Sequence, residues 1–234
     1  MKAIAIIPAR GGSKRIPRKN VKDFLGMPII AYSIKAALES GVFDEVMVST
    51  DDEEIAAVAR EYGASVPFLR SARTSDDFAT TADVIDEVLD RYKAVSKEFD
   101  VVACIYATAP FITPQRLNEA AEILKKGAFD SAFTCVAYSY PVQRGLEIDN
   151  DGKIKMKWPE FKSSRSQDLK SVYHDAGQFY FATVDAYRKA HGFWGDNTAP
   201  IVLSELEVQD LDTLTDWKLA EMKFTILKSH RNDN

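Results

Sequence analysis

The sequence predicts a three-layer α/β/α fold, with a mostly parallel central sheet and a small extended insertion late in the chain. Three observations predict it. Apolar runs of strand length alternate with amphipathic stretches of helix length. The first run, Lys2 to Ile7, is followed by a long polar loop rather than a hairpin turn. The alternation stops only between Gly145 and Val172, where Lys, Ser, Asp and Gly dominate without a helical period.

The elements follow in order. Pro8 stops the first strand, and the polar loop runs from Ala9 to about Phe24. Gly26-Met27-Pro28 opens a helix whose Ile30, Ile34, Ala37 and Leu38 recur at helical spacing, and Ser40-Gly41 ends it. Glu45 to Ser49 reads as a strand. Thr50-Asp51 can cap the helix from Asp52 to Tyr62, which Gly63 closes. A short strand near Ser65 to Pro67 precedes a polar segment and a helix from about Ala82 to Val95. The unbroken apolar run Asp100 to Tyr106 predicts a buried strand. Thr113-Pro114 starts a helix to Lys126, and Asp130 to Ala137 is a further strand. Asp149-Asn150-Asp151-Gly152 predicts a hairpin turn inside the insertion, which spans about 140–175. Gln178 to Ala182 returns to strand character, Ser204 to Val208 reads as a last strand, and a terminal helix covers Thr213 to Leu227. The expectation is one domain over 1–234 with this excursion.

With 46% hydrophobic and 28% charged residues in 234, the composition is that of a globular chain. A net charge of −5 argues against general nucleic-acid affinity, because phosphate backbones reward positive surfaces. Cys104 and Cys135 lie in apolar runs without the spacing of a zinc site or redox pair, and read as core residues. The opening apolar run is too short for a signal peptide and no stretch approaches a membrane span, so a cytoplasmic protein is expected.

The loop after the first strand carries the functional argument. Open α/β sheets place ligands at the carboxyl ends of their strands. Gly11 and Gly12 would let backbone amides approach an anion. Arg10, Lys14, Arg15, Arg18 and Lys19 put five cations into this loop of an otherwise acidic chain. That density suits a triphosphate and a departing pyrophosphate, although a solvated basic loop has the same composition. The Walker pattern is absent because no Gly-Lys-Ser/Thr triplet occurs, and Gly11-Gly12 falls short of the three-glycine dinucleotide fingerprint.

Ile7-Pro8-Ala9-Arg10-Gly11-Gly12-Ser13-Lys14 followed by Pro17-Arg18-Lys19-Asn20 resembles the signature of the acylneuraminate cytidylyltransferases, the CMP-sialic acid synthetase family. The resemblance continues through Ile30 to Ile34, Val48 to Ala56, Val66 to Arg70 and Ala79 to Val84. Ile105-Tyr106-Ala107-Thr108-Ala109-Pro110 and Tyr173-His174-Asp175-Ala176-Gly177-Gln178-Phe179-Tyr180 depart from the sialic acid enzymes and resemble the pseudaminic acid branch. The family resemblance implies a nucleotide-diphospho-sugar transferase-like fold. It implies transfer of CMP from CTP to the anomeric hydroxyl of a nonulosonic acid, with Mg²⁺ as cofactor and a homodimer formed through the insertion.

It also implies roles. Arg10 and Lys19 match positions that contact the nucleotide phosphates, with Ala9, Gly11, Gly12, Ser13 and Asn20 completing the loop. Arg15 stands where the family often has glycine. Arg70, Thr80 and Thr81 match the cytosine and ribose region, although Thr80-Thr81 also reads as a helix N-cap. Asp77 could instead answer Arg70 or Arg73. Asp210 and Asp212 alternate along an extended segment, so both carboxylates face one side, as a hard cation requires. Asp212 could equally cap the terminal helix. Tyr106, Thr108, His174, Asp175, Gln178 and Phe179 are the sugar-side candidates, with His174 open as a general base. The competing expectations are the same reaction on N-acetylneuraminic, legionaminic or keto-deoxyoctulosonic acid, a nucleotide-sugar glycosyltransferase, and a non-catalytic nucleotide-binding module.

Overall fold

A computed structural model of the chain describes residues 1–76 and 78–232. The chain opens with strand β1 (Ala3–Pro8), and after the polar loop a two-residue ribbon, β2 (Asp23–Phe24) and β3 (Met27–Pro28), leads into α1 (Ile29–Ser40). Pro28 stands at the N-cap, just outside the helix, and Gly41 ends it with φ 66°. Then come β4 (Glu45–Ser49), α2 (Glu53–Glu61), the single turn α3 (Ala72–Ser75), α4 (Thr81–Ala94), β5 (Val101–Ile105), α5 (Pro114–Lys125) and β6 (Ser131–Ala137). The insertion forms the hairpin β7 (Leu146–Ile148) and β8 (Ile154–Met156), turning at Gly152 with φ 76°, as its Asp-Asn-Asp-Gly run predicts. The chain finishes with β9 (Tyr173–Thr183), α6 (Val184–Ala190), β10 (Thr198–Leu203) and α7 (Leu214–Asn232).

The six-stranded sheet has the order β10-β6-β9-β5-β1-β4. β9 alone runs antiparallel, to both β5 and β6; every other pairing is parallel. Both faces are covered, which explains the unbroken apolar runs. Along β1, Ala3, Ala5 and Ile7 enter one core cluster with Ile34, Phe179 and Phe181, while Ile4 and Ile6 enter the other with Tyr92, Tyr180 and Tyr187. Side chains alternate across the pleat, so both sets must be apolar.

Helix starts follow local chemistry. Asp52 accepts from the amides of Glu54 and Ile55 to cap α2, Thr80 and Asp83 form a reciprocal capping box on α4, and Thr113 caps α5 ahead of Pro114.

Several elements differ from the sequence expectation. β9 begins at Tyr173 rather than Gln178, and Met27–Pro28 is a short strand rather than the opening of α1. The last strand is Thr198–Leu203, not Ser204 to Val208. Pro200 weakens the strand reading there, but β10 is an edge strand, where a missing N–H is tolerated. Ser204 and Glu207 instead close a capping box around the 3₁₀ turn Glu205–Glu207. The expected short strand near Ser65 is a single bridge to Met47. Helix α6, which no periodicity announced, is capped by Thr183 and ends at His191 with φ 51°. Among the described residues no helix is long and apolar enough to cross a membrane.

Candidate active site

A third apolar cluster, away from the sheet, organises the site. Ile16 from the polar loop and Leu211 from the segment before α7 are both 1% exposed and pack with Phe24, Ile29, Phe111, Trp217 and Ala220. Burying two aliphatic side chains contributes about 1.5–3 kcal/mol each. The loop and the carboxyl-terminal segment are thereby fastened side by side. With Leu211 turned inward, Asp210 is exposed and Asp212 half-buried on the outer side, as their alternation predicts.

The polar contacts reinforce this arrangement. Lys19 Nζ donates to the Leu211 carbonyl at 2.8 Å, and Arg15 Nη1 lies 2.6 Å from Asp212 Oδ2. Burial lowers the Lys19 pKa, opposed by the nearby carboxylates of Asp212 and Asp210. The helix-cap alternative for Asp212 fails, because Thr213 and Asp216 cap α7 between themselves. Asp212 is instead paired with Arg15, and neither it nor Asp210 lines the neighbouring cleft.

A cleft of about 540 Å³ opens at the carboxyl ends of β1 and β5. It is lined by Arg10, Ser13, Lys14, Arg15, Lys19 and Asn20 from the loop, and by Arg70, Ala79, Thr80, Thr81, Tyr106 and Thr108 from later segments. The loop residues are largely cationic and reach Asp212 through Arg15; the later ones mix hydroxyls and apolar surface with the Arg70 guanidinium.

Several loop residues act through the backbone. Asn20 Nδ2 donates to the Arg10 carbonyl at 2.9 Å, and the buried Ala9 extends the ladder to Ser49. The Gly11 amide donates to Asp51 Oδ1 at 2.9 Å, and a Cβ at Gly11 would stand 2.7 Å from Asp52 Oδ2. Close packing, rather than a free anion-binding amide, accounts for Gly11. Gly12 has open space where its side chain would be.

Arg18 is the loop cation that turns away. It takes φ 54°, places its guanidinium on Asp52 at 2.5 and 3.0 Å, and pairs with Glu54. The pair holds the Asp52 carboxyl down at about 2 and raises the Arg18 guanidinium further. Of the five loop cations, Arg10, Lys14, Arg15 and Lys19 line the cleft, and Arg18 latches the loop to α2.

The opposite wall is equally braced. Arg70 donates through Nε to Ser49 Oγ at 3.2 Å and through Nη2 to the Ser49 carbonyl at 2.6 Å; burial lowers its pKa. Glu87, nearly buried, accepts from the Ser71 amide and hydroxyl and from the Thr74 hydroxyl, tying α3 to α4. Sequence reasoning missed Glu87, Ile16 and Leu211. The last two carried a legible signal, a lone aliphatic residue inside a charged run.

The comparisons with known proteins agree with this geometry. The family model described as Cytidylyltransferase matches residues 4–192. The chain belongs to that family. Among curated cytidylyltransferases, it is 42% identical to the pseudaminic acid cytidylyltransferase of Campylobacter jejuni, across 97% of both chains. It is 37% identical to the CMP-N,N'-diacetyllegionaminic acid synthase of Legionella pneumophila, over 94% of this chain and 95% of that one. A solved CMP:2-keto-3-deoxy-manno-octonic acid synthetase superposes with a TM-score of 0.70 at 19% identity, covering 98% of this chain and 100% of the other, which shows a shared fold.

The expected sugar-side residues divide in this cytidylyltransferase. Tyr106 and Thr108 line the cleft. His174 does not; its Nδ1 meets the Asp175 carbonyl at 2.9 Å and its ring packs on Tyr138 at 4.7 Å, beside a separate apolar hollow near Trp194. Asp175 binds the Gly177 amide and the Tyr180 hydroxyl. Gln178 is buried and holds the Glu207 carbonyl, and Phe179 is fully buried. The cause is β9, which extends back to Tyr173 and draws this whole stretch into the sheet. Asp77 lies outside the described residues.

Among the described residues, no group of three or more His, Cys, Asp or Glu side chains could hold a metal alone. Asp210 and Asp212 still fit magnesium, which binds through one or two carboxylates and completes its shell with water and phosphate oxygens.

Proposed function

We propose that this cytidylyltransferase joins CMP from CTP to the anomeric hydroxyl of pseudaminic acid and releases pyrophosphate. The observation that carries the reading is the meeting of the cationic loop with the Asp210–Asp212 segment, through Lys19 on the Leu211 carbonyl and Arg15 on Asp212. The full-length similarity to a pseudaminic acid cytidylyltransferase supports the choice of sugar.

The reaction forms an oxygen–phosphorus bond at the α-phosphate and breaks the bond to the β-phosphate. Such a displacement needs alignment and charge neutralisation more than covalent help. Arg10, Lys14, Arg15 and Lys19 would hold the phosphates and take up charge as pyrophosphate leaves. Arg70, Thr80 and Thr81 would orient base and ribose, and Tyr106 and Thr108 face the sugar. Asp210 and Asp212 would hold Mg²⁺, which supplies charge neutralisation at the phosphate oxygens and aligns the triphosphate. Arg15 then exchanges part of its pairing with Asp212 for a phosphate.

The hairpin exposes Leu146, Ile148 and Ile154. A homodimer built on this apolar surface is the reading we favour, in the cytoplasm where CTP is made. Light scattering of wild type and Ile148→Asp tests it: a dimer that becomes monomeric supports the interface, and a monomeric wild type removes it.

The functional test is a pyrophosphate-release assay over CTP, UTP and ATP against pseudaminic, legionaminic, N-acetylneuraminic and keto-deoxyoctulosonic acids. Turnover should be highest with CTP and pseudaminic acid. Preference for another sugar would overturn the substrate, and no pyrophosphate release with any pair would overturn the activity.

A further inference from the structure

Arg70 enters the cleft from a stretch of backbone that is pinned on both sides. Its own amide donates to the Thr50 carbonyl at 2.8 Å. The preceding carbonyl, of Leu69, accepts Arg91 Nη1 at 2.8 Å, and the Arg91 guanidinium lies over the Phe68 ring at 4.5 Å. The following amide, of Ser71, donates to Glu87 Oε1 at 2.9 Å. Glu87 and Arg91 are one turn apart on α4, with Arg91 Nε 3.6 Å from Glu87 Oε1. The Arg70 guanidinium is held as well. Its Nε and Nη2 meet the Ser49 hydroxyl and carbonyl, and Nη1 donates to the Thr74 carbonyl at 3.3 Å.

Glu87 supports both the backbone and the last of these acceptors. Thr74 belongs to α3, a single turn of 4 residues. A turn that short does not persist unaided, because fixing its dihedrals costs more than one hydrogen bond returns. Ser71 occupies its N-cap position yet makes no capping bond with its side chain. The Ser71 hydroxyl donates instead to Glu87 Oε2 at 2.7 Å, and the Thr74 hydroxyl donates to the same oxygen. Glu87 is 8% exposed and Thr74 1%. Burial opposes the ionisation of Glu87, but the bonds from Thr74 and Ser71 outweigh it and hold the carboxyl below the usual carboxylate range. A charge in such surroundings persists only where donors satisfy its lone pairs. Here those donors belong to the segment that carries Arg70.

We propose that Glu87 is a positioning residue for the nucleotide, fixing the Arg70 guanidinium at the cleft wall by pinning the Ser71 amide and the α3 turn. Glu87 does not itself line the cleft, so its effect is exerted through Arg70 and reaches only the ligand groups that Arg70 serves. A guanidinium offers its donors in a rigid planar fork, so its worth to a ligand depends on being held in one orientation. This inference deepens the cytidylyltransferase reading of the cleft, in which Arg70 serves base and ribose, and rests on it.

The test measures the KM for CTP at a saturating concentration of the sugar turned over fastest, and the KM for that sugar at saturating CTP. The proteins compared are wild type, Glu87→Gln, Arg70→Met and the double variant Glu87→Gln/Arg70→Met. Gln keeps the shape of Glu87, but its amide nitrogen cannot accept, so either the Ser71 amide or the two hydroxyls lose their partner. Glu87→Gln should raise the KM for CTP about 10-fold, the scale of one lost hydrogen bond. Its kcat should stay within about threefold and its KM for the sugar within about twofold. In the Arg70→Met background the same change should add less than about twofold, because the group through which Glu87 acts is already gone. Thermal melting identifies a variant that fails to fold. Ser71→Ala, which removes one of the three bonds from a residue outside the cleft, then replaces Glu87→Gln with an expected rise of about 3-fold. A purely structural brace would lower the Tm without separating the two substrates. KM values for CTP and sugar rising together would overturn the role of Glu87 while leaving the cytidylyltransfer reading intact. A CTP value within about twofold of wild type, or losses that multiply in the double variant, would do the same. A folded wild type inactive with CTP on every sugar overturns both.

Discussion

Arg18 and Lys19 are adjacent cations in one loop, and their replacement by Met should produce opposite signatures. Arg18 contacts Asp52 twice, at 2.5 and 3.0 Å, and its side chain is 40% exposed. Hydrogen bonds to a charged partner contribute about 1.5–3 kcal/mol, and solvent screening at an exposed pair reduces that towards about 1 kcal/mol. Arg18→Met should therefore cost about 1–2 kcal/mol. In a chain of this length that is a fall of roughly 2–8 °C in Tm. Lys19→Met loses the bond to the Leu211 carbonyl, worth about 1 kcal/mol. It also relieves the burial of an ammonium group, the larger influence on the Lys19 pKa, so its net effect on stability should stay within about 1 kcal/mol. Catalysis reverses the order. Removing a cation aimed at developing phosphate charge should lower turnover by about 10²–10³-fold, whereas Arg18→Met should keep kcat within about 10-fold and raise the KM for CTP as the loop loosens. Thermal melting and pyrophosphate release on the same preparations read both. An Arg18→Met protein as stable as wild type but as inactive as Lys19→Met would refute the division of labour.

Asp212→Asn should reduce turnover by about 100-fold or more and shift the magnesium concentration for half-maximal rate upward. Its Tm should change little, since Thr213 and Asp216 cap α7; unchanged kinetics would remove the metal assignment. Acid sensitivity follows from Asp52, whose carboxyl sits at about 2 when folded against about 3.9 unfolded. A depressed carboxyl stabilises above the unfolded value and loses that contribution as pH falls towards the folded one. Urea unfolding should therefore show about 1–2 kcal/mol, after screening, disappearing between about pH 4 and pH 2, and Asp52→Asn should flatten that slope. Gly11→Ala forces a Cβ to within 2.7 Å of Asp52 Oδ2, a clash with a pinned side chain. It should destabilise by about 1–3 kcal/mol in the same assay, with no change expected for Gly12→Ala.

The sequence by itself determined the layered α/β class, and it displayed the cation-dense loop and the alternating Asp210-Leu211-Asp212, because each is written in local spacing. Apolar runs of strand length, helix-cap residues, a glycine-bearing cationic turn and alternating Asp-Leu-Asp depend on neighbours only a few positions apart. Hydrophobic periodicity could not reveal the direction of β9, since a strand buried on both faces reads the same either way. It also mistook the site of the last strand, because Pro200 is tolerated only at an edge and an edge exists only once the sheet is assembled. Tertiary structure decided which charges face the cleft. Arg18 and Lys19 are adjacent cations that charge patterning alone does not separate, yet one meets Asp52 and the other the Leu211 carbonyl, 192 positions away. His174, Asp175, Gln178 and Phe179 looked like a recognition patch in sequence, but the extension of β9 and its bulge consigned them to the interior or to another surface. The physical reason is that a polar side chain satisfies whichever partner the packed backbone places within reach, and that partner is set by distances the linear order does not contain.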